Sequence, residues 1–597
     1  MCVCVCVCVL DIKKFHPFHR HILQRIRMFA IKKLLYNNKC CQVPSLLYRL
    51  QCGRYISTIG HNASMDMDLP ENFDRKTRIV CTVGPSTWDN DGIHKLLDRG
   101  MNVLRLNFSH GTHEQKAEVI SNLRNIVKDI REKDSVDFSD GSREDFCAIA
   151  ADTKGPEIRT GLFAGEDVEA VHLKIGDEIT ISTNLDHYDA GTKDLIYCDY
   201  QTLANEIFPG QKIFLDDGLI SFVLKEVIDE QTLVCEIENG GKLGQQKGIN
   251  IPEPFKSNLP SITEQDRKDL EFAADIGVDF IFASFIRSRK DVIAVREALG
   301  PNGKNVQIIS KVENKEGCDN FDEILRESDG IMVARGDLGI EIPAHTVFLA
   351  QKHMISRCNI AGKPVICATQ MLESMVENPR PTRAEVSDVA NAVLDGADAV
   401  MLSGETAKGD FPFKAVDMMS DICKEAEVAI DYDSFFRQIR GSNKKYGIPT
   451  NFPMSLETIA TSAVVASLEI NAPAIVVFSY TGTMVKALAK YRPSCPIFCV
   501  TSNKQTANSI LLHRGVIPLL VPEDDMIDYK HGMKTVVNIL KDMKIFSQPQ
   551  LKNHHGGGDS LNSGNISGER SSLTGGKLVT IGRFDRSRPY DPVMTLV

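Results

Sequence analysis

The amino-acid sequence predicts an α/β protein: a (β/α)8 TIM barrel with an inserted small β-barrel lid domain and a C-terminal α/β domain. Three observations carry this prediction. From Arg78 onward eight short apolar runs alternate with helical stretches, about 100 residues of strand-type periodicity interrupt them, and a smaller α/β pattern begins after about residue 430. An open doubly wound sheet is the alternative, but the first run is followed by TVGPST, which is not a GxGxxG turn.

The eight predicted barrel strands are runs of four to six residues. They are IVCTV (79–83), VLRLN (103–107), CAIAAD (147–152), FIFAS (280–284), QIISK (307–311), IMVA (331–334), VICAT (365–369) and AVMLS (399–403). Nearly all of them end in polar side chains, which packing alone does not require. Because barrel enzymes bind their ligands at the carboxyl ends of the strands, these polar residues predict a functional site there.

The strongest chemical signal lies in residues 307–343, where strand, charged loop and helix are followed by a second strand and charged loop. The first strand ends in Lys311 and Glu313, and the second is followed by Arg335 and Asp337. Two carboxylates without sulfur or nitrogen ligands suit a hard cation such as Mg²⁺, and a neighbouring lysine suits a phosphoryl group. Surface ion pairs are the alternative interpretation of this stretch taken alone.

Other strand ends carry further polar groups. The second run ends within RLNFSHG, and the third is followed by the polar residues of ADTKGPEIRTG. The seventh run ends at Thr369, and the eighth run ends at Ser403 and Glu405. By contrast, Thr382 and Glu385 have the spacing of a capping box, which predicts only the start of a helix.

The predicted lid domain spans residues 156–258. ITIST, KIFLD, LISFVLKEVI and TLVCEIE are strand-like, and Asp216–Leu219 and Glu238–Gly241 contain Asp-Gly and Asn-Gly dipeptides typical of hairpin turns. A domain inserted above the strand ends can exclude water from a reacting phosphoryl group. QQKGINIP returns the chain to the barrel, so Lys247 is either near the site or simply solvated.

The predicted domain order follows from these patterns. It is a basic leader (1–64), the first part of the barrel (65–155), the lid (156–258), the second part of the barrel (259–430) and the C-terminal α/β domain (431–597). In the last domain SLETIATSAVVASLEI predicts a helix, and AIVVFS, IFCVTS, IPLLV and KLVTIG predict strands. Its SYTGT turn, Ser479–Thr483, is a candidate phosphate-binding turn. Residues 548–576, rich in Gly, Ser and Asn, are predicted to be disordered.

Composition argues against several classes of protein. No run reaches the ~18 apolar residues of a membrane helix, so we expect a soluble protein without membrane contact. The leader holds ten Lys or Arg and one acid, so the remaining residues carry a net charge of −19, which disfavours nucleic-acid binding. Outside the leader ten cysteines lie singly, without zinc or disulfide spacing, as expected of buried thiols in a reducing compartment.

The leader contains HILQRIRMFAIKKLLY, a basic amphipathic segment almost free of acids, which is the pattern of a mitochondrial presequence. A disordered leader, or an alternative start upstream of a fold beginning near Met65, are the other interpretations. We expect a cytoplasmic protein, and a mitochondrial location through this basic leader is the alternative.

Seven long motifs, in this order, resemble pyruvate kinase. They are MNVLRLNFSHGTH, ADTKGPEIRTG, ENGGKLGQQKGINIP, ISKVENKEG, IMVARGDLGIEIP, KPVICATQMLESM and DVANAVLDGADAVMLSGETAKGD. The resemblance runs from about Arg78 to about Lys544, with KLVTIG as a final strand. It implies a homotetramer with the three-domain architecture given above, which transfers the phosphoryl group of phosphoenolpyruvate to ADP and yields pyruvate and ATP in glycolysis.

The resemblance also implies a role for each matching residue. The implied catalytic residues are Lys311, Arg105, Thr369 and Ser403, and the implied substrate-binding residues are Arg105, Lys311, Gly336, Asp337 and Thr369. The implied nucleotide-binding residues are Asn107, Phe108, Ser109, His110, Arg159 and Lys247. The implied ligands of Mg²⁺ (or Mn²⁺) are Glu313 and Asp337, and those of K⁺ are Asn107, Ser109, Asp152 and Thr153. The group that protonates the enolate is left open.

Two alternatives belong to other classes. A catalytically inactive regulatory homologue is expected to lose at least one of Lys311, Glu313, Asp337 and Thr369, and all four are present. Another phosphoenolpyruvate or pyruvate barrel enzyme would share acids at the strand ends, but would not account for QQKGINIP or the C-terminal domain.

Overall fold

A computed structural model of the chain describes residues 61, 65, 74–133, 146–165, 168–252, 259–445, 450–543, 545, 577–582 and 593–596. The elements below belong to one compact unit, residues 68–551 with 567–597. The predicted leader, apart from His61, and the predicted insert 548–576 lie outside the described residues.

The predicted eight-stranded parallel barrel is confirmed: each strand pairs with the next, and the eighth pairs with the first. Each apolar run named above forms one strand. The strands are Arg78–Thr82, Val103–Asn107, Ala148–Asp152, Phe280–Ala283, Gln307–Val312, Gly330–Ala334, Val365–Ala368 and Ala399–Leu402.

Alternation along each strand sorts the side chains into an outer and an inner set. In the second strand Leu104 and Leu106 pack against the surrounding helices, whereas Val103 belongs to the interior cluster, so Arg105 and Asn107 share its inward face. Small alanines of the third strand lie among large phenylalanines of the fourth inside the barrel (Ala148, Ala150, Phe280 and Phe282). The interior is therefore a packed core, and polar chemistry is confined to its end.

Most helices of the described chain surround the barrel or flank the C-terminal sheet, and the short helix Leu203–Glu206 lies in the inserted domain. They are Asn90–Asp98, His113–Lys133, Leu203–Glu206, Glu264–Ile276, Arg289–Ala298, Lys315–Asp319, Phe321–Glu327, Arg335–Glu341, Val347–Ala361, Arg383–Asp395, Gly404–Ala407, Pro412–Val428, Tyr432–Lys445, Met454–Glu469, Thr483–Lys490, Lys504–Ser509, Glu523–Ile527 and Tyr529–Asp542. Thr382 and Glu385 form the predicted capping box. Within the described residues, none of these helices has the length and apolarity needed to cross a bilayer.

The inserted domain is built mainly of β-strands, with one short α-helix, Leu203–Glu206, among its described residues. Seven of its strands form one sheet, whose two edge strands meet at an antiparallel bridge between Thr160 and Cys198, and two more form a separate pair. The strands are Ile158–Arg159, Ala170–Leu173, Glu178–Ser182, Leu195–Tyr197, Lys212–Leu215, Ile220–Asp229, Thr232–Asn239, Gly241–Gly244 and Gly248–Asn250.

One of the two predicted hairpin turns in this domain is confirmed. Asp216–Leu219 joins antiparallel partners, and Asp216, Asp217 and Gly218 all have positive φ. The turn predicted at Glu238–Gly241 is wrong, because the strand that follows it pairs with Ala170–Leu173 instead of turning back. Gly240 allows a close approach instead, because a Cβ at this position would clash with the backbone oxygen of Leu173.

The C-terminal domain is a five-stranded α/β sheet. Its strands, in chain order, are Ile475–Phe478, Ile497–Thr501, Val516–Leu520, Val579–Gly582 and Val593–Leu596, and only the last runs antiparallel. The sequence predicted the first four and missed the fifth. Ala507, Leu511 and Leu512 of this domain pack with the residues of the barrel interior, so the C-terminal domain contributes to the core of the barrel.

Candidate active site

Strand register brings inward-facing residues of the first three barrel strands together. Thr82 lies beside Arg105, and Asn107 beside Asp152. The Arg105 guanidinium donates from Nε to Asp152 Oδ2 at 2.6 Å and from Nη1 to Thr82 Oγ1 at 2.8 Å. Because all three side chains are buried, the guanidinium is held in one orientation.

Lys311 joins this group from the fifth strand. Its Nζ lies 3.1 Å from Asp152 Oδ1, 3.0 Å from Glu313 Oε1 and 2.8 Å from Ser284 Oγ. Burial would lower the pKa of Lys311, but the two carboxylates raise it above its usual value. Burial likewise acts against ionisation of Asp152, yet the cations Arg105 and Lys311 lower its pKa. The cluster therefore keeps a buried ammonium, a buried guanidinium and a buried carboxylate charged together.

The two carboxylates of the predicted metal site have a different electrostatic environment. Glu313 is 1% exposed and accepts the Phe285 N–H at 2.5 Å, and burial raises its pKa despite Lys311. Burial, followed by the charge of Glu313, raises the pKa of Asp337 to about 7. Lys311 does not offset the burial of these two carboxylates, and their oxygen donors suit a hard divalent cation. In the described part of the chain no three carboxylate, imidazole or thiol side chains converge as a metal site.

The seventh strand end is anchored by Arg335. This guanidinium donates to the carbonyl oxygen of Thr369 at 2.8 Å and to Asp388 Oδ1 at 2.6 Å. Thr369 has φ +73°, and a Cβ on Gly336 would lie 2.7 Å from its Cγ2. Arg335 therefore holds a strained loop in contact with Gly336. The sequence did not indicate this role of Arg335.

Ser403 lies at the eighth strand end, tied to the loop that follows the seventh. The buried carboxylate of Glu405 accepts the backbone N–H of Ser403 at 2.7 Å and that of Leu372 at 3.1 Å. Burial raises the pKa of Glu405, while these hydrogen bonds act in the opposite direction. The loops that carry Thr369 and Ser403 are thus linked through one side chain.

A cleft of about 550 Å³ lies between the inserted domain and the strand ends. Among the residues that line it are His110, Arg159, Lys247, Asp337 and Lys408. The Nζ of Lys247 lies 2.8 Å from Asp216 Oδ1, and Arg159 Nη1 donates to the Gln246 carbonyl at 2.8 Å. Both basic groups are therefore positioned by their neighbours within the inserted domain.

The remaining predicted residues lie close to these groups. The Thr153 carbonyl accepts Ser284 Oγ at 2.6 Å, and Asn107 Oδ1 accepts the Ser109 N–H at 3.0 Å. The ring of Phe108 does not line the cleft; it is buried against Phe272. Of the six predicted nucleotide-binding residues, His110, Arg159 and Lys247 line the cleft, whereas Asn107, Phe108 and Ser109 do not.

Two functional residues were not predicted from the sequence: Thr82, which contacts Arg105, and Ser284, which contacts Lys311. A signal for both was available. Thr82 is two residues beyond the interior residue Val80, and Ser284 two beyond Phe282, so strand alternation puts both on the inward face.

A closed barrel that gathers a buried lysine, a buried arginine and paired carboxylates at its strand ends, beneath an inserted domain, defines an enzyme of the phosphoryl-transfer class. Residues 74–416 match the family model of the pyruvate kinase barrel domain, and residues 457–551 match that of the pyruvate kinase alpha/beta domain.

Curated relatives agree with these matches. The chain is 48% identical to pyruvate kinase PKLR of Homo sapiens over 465 residues, 78% of each protein. It is 46% identical to pyruvate kinase of Leishmania mexicana over 472 residues, 79% of this chain and 90% of that protein. It is 49% identical to pyruvate kinase of Agaricus bisporus over 454 residues, 76% and 81% respectively. The chain belongs to the pyruvate kinase family and is a phosphotransferase.

Proposed function

We propose that this chain transfers the phosphoryl group of phosphoenolpyruvate to ADP, giving pyruvate and ATP in glycolysis. The observation that carries the proposal is the buried, charged cluster of Arg105, Asp152 and Lys311 beside Glu313. A polyanionic donor and a polyanionic acceptor can approach one another only where cations are already in place, and this cluster supplies two of them.

A coupled assay with phosphoenolpyruvate, ADP, Mg²⁺ and K⁺ tests the proposal. We expect pyruvate and ATP to form in equal amounts, and only when both substrates are present. Binding of both substrates without turnover would instead identify an inactive homologue.

The catalytic and substrate-binding residues each have a role in the proposed reaction. Lys311 and Arg105 donate to the transferring phosphoryl group, and because their partners fix them before substrate arrives, little reorganisation is needed during transfer. The backbone at Gly336 and Asp337, with the Thr369 hydroxyl, binds the donor's carboxylate. Thr369 and Ser403 are candidates to orient the water that protonates the enolate, and Glu405 holds both of their loops.

Members of this family need a divalent metal ion and K⁺. We propose that Glu313 and Asp337 hold Mg²⁺ or Mn²⁺, because burial raises the pKa of both carboxylates, Glu313 adds to the rise at Asp337, and such oxygen donors fit a hard cation. When bound, the ion supplies positive charge to the phosphoryl oxygens and the donor's carboxylate.

Replacing Asp337 with asparagine is expected to raise the Mg²⁺ concentration needed for half-maximal activity by at least ~10-fold, about 1.4 kcal/mol, because a charged ligand is lost. Titration of activity with Mg²⁺ measures it. Asp319 lines the same cleft but pairs with Lys315, so Asp319→Asn is the matched control and should shift the midpoint less than twofold. Equal midpoints in the two variants would exclude Asp337 as a ligand.

We further propose that K⁺ binds Asn107, Ser109, Asp152 and Thr153, which offer oxygen donors at two neighbouring strand ends. Activity is expected to fall at least ~10-fold when tetramethylammonium, too large for such a site, replaces K⁺, since one cation is removed from beside the donor phosphate. Initial rates at constant ionic strength measure this fall. Full activity without K⁺ or Na⁺ would contradict the assignment.

The nucleotide is proposed to occupy the cleft near Asn107, Phe108, Ser109 and His110, with Arg159 and Lys247 contributed by a lid of residues 156–258. Arg159 and Lys247 line that cleft together with His110, which supports this assignment. The proposed boundaries of the leader (1–64), the two barrel segments (65–155 and 259–430) and the C-terminal domain (431–597) follow the sequence patterns.

We also propose that the chain forms a homotetramer. Its proposed location is the cytoplasm, and the mitochondrion is the alternative because of the basic leader. Phe348 and Leu349, side by side on one helix, are 55% and 57% exposed, which supports contact with another copy of the chain. Light scattering of the purified protein, expected at four times 66.2 kDa, tests the assembly. Imaging of the full chain beside a variant without residues 1–64 tests the location.

A further inference from the structure

The loop that follows the second barrel strand is held by the first turn of the helix His113–Lys133. The ammonium of Lys116 donates to the carbonyl oxygen of His110 at 2.5 Å, and it lies 4.9 Å from the centroid of the Phe108 ring. Lys116 is only 6% exposed, and burial lowers its pKa although Asp269 acts in the opposite direction. One buried cation therefore contacts both ends of the segment Phe108–His110.

An aromatic cluster holds the same ring from other directions. The Phe108 centroid lies 5.9 Å from the ring of His113 and 6.1 Å from that of Phe272, and these two rings stack at 4.2 Å with an interplanar angle of 5°. His113 Nε2 lies 2.6 Å from Oδ1 of the buried Asp269. The ring of Phe108 is therefore anchored. The backbone N–H of Phe108 also donates to the Asp152 carbonyl at 2.9 Å.

This short segment also carries groups assigned above to ligands. Asn107 Oδ1 accepts the Ser109 N–H, and His110 lines the cleft. With the Phe108 ring anchored and the His110 carbonyl bonded to Lys116, Ser109 between them has little freedom. Lys116 therefore sets where the hydroxyl of Ser109 and the ring of His110 can lie.

We propose that Lys116 is a positioning residue that orders the segment Phe108–His110 for K⁺ and for the nucleotide, without touching either. This inference rests on the proposed function. A lysine kept only for solubility would extend into water, whereas burying an ammonium is costly unless its cation–π contact and charge-assisted hydrogen bond are made.

The test compares Lys116→Met with Lys128→Met, which alters an exposed lysine on the same helix. In Lys116→Met, the KM for ADP and the half-activating K⁺ concentration are expected to rise at least ~5-fold each, since binding must now order the loop. The KM for phosphoenolpyruvate and kcat should change less than ~3-fold, because Lys311 and Arg105 keep their contacts. Lys128→Met should match the wild type in all four constants.

Unchanged constants for ADP and K⁺ in Lys116→Met would overturn the inference, whether or not the melting temperature falls. If Lys116→Met does not fold, Gln115→Leu decides. Gln115 Oε1 accepts the Thr112 N–H at 3.1 Å and secures the far end of the loop, so the same two constants should rise about 2-fold, and unchanged constants count against the inference.

If the wild-type chain forms no ATP from phosphoenolpyruvate, the proposed function fails separately. Calorimetric titration with Mg–ADP then decides the inference: binding at least ~5-fold weaker in Lys116→Met than in the wild type supports it, and equal or absent binding in both overturns it.

Discussion

Replacing Lys311 with methionine is expected to lower kcat by at least ~10³, or about 4 kcal/mol, with little change in the KM for phosphoenolpyruvate. The physical reason is that the ammonium is fixed by Asp152, Glu313 and Ser284 before substrate binds, so its charge acts most strongly on the transferring phosphoryl group in the transition state. Steady-state kinetics measure the effect, and a circular dichroism spectrum checks that the variant is folded.

Lys315→Met is the matched control, because Lys315 lines the same cleft and pairs with the exposed Asp319. We expect that variant to keep kcat within ~3-fold of the wild type. If proton transfer to the enolate is a separate step, Lys311→Met should still exchange the methyl protons of pyruvate in D₂O. A kcat near the wild-type value in Lys311→Met would end the assignment.

Replacing Arg492 with leucine is expected to cost about 3 kcal/mol or more of folding free energy, because it leaves a buried carboxylate without its cation. Arg492 Nη1 and Nη2 lie 2.7 and 2.8 Å from the two oxygens of Asp398, and Nη2 also donates to Asn359 Oδ1 at 2.9 Å. Both charged side chains are 5% exposed. The pair joins the C-terminal domain to the barrel, so urea unfolding should show a lower midpoint.

Arg99→Leu removes a control pair, Arg99 with Asp417 at 3.3 Å, whose side chains are 34% and 52% exposed. Its cost should stay below ~1 kcal/mol, as for other solvated pairs. Adding Asp398→Asn to Arg492→Leu should restore part of the loss, since the uncompensated charge is then removed. A cost for Arg492→Leu no greater than that for Arg99→Leu would show that the buried pair contributes little.

The barrel could be predicted because buried parallel strands form continuous apolar runs, and the fold class itself states at which end their polar residues meet. Shorter elements were harder to predict from the sequence. The strand Val593–Leu596 has only four residues, and its pairing with Val579–Gly582 depends on a sheet already assembled. The Asn-Gly dipeptide in Glu238–Gly241 resembled a hairpin turn, but local turn chemistry does not reveal which strand will be the next partner.

The sequence by itself determined the barrel, the order of its strands and the residue types at their carboxyl ends, because these depend on local periodicity. Only the tertiary structure decided which charges became partners. Arg105 and Asp152 are 47 residues apart, and Lys311 and Asp152 are 159 apart. Closure of the barrel brings Asp152 and Glu313 close to Lys311, and these carboxylates keep Lys311 charged although burial acts in the opposite direction. The same burial raises the pKa of Asp337. Register and burial are properties of the assembled strands, and no single segment contains them.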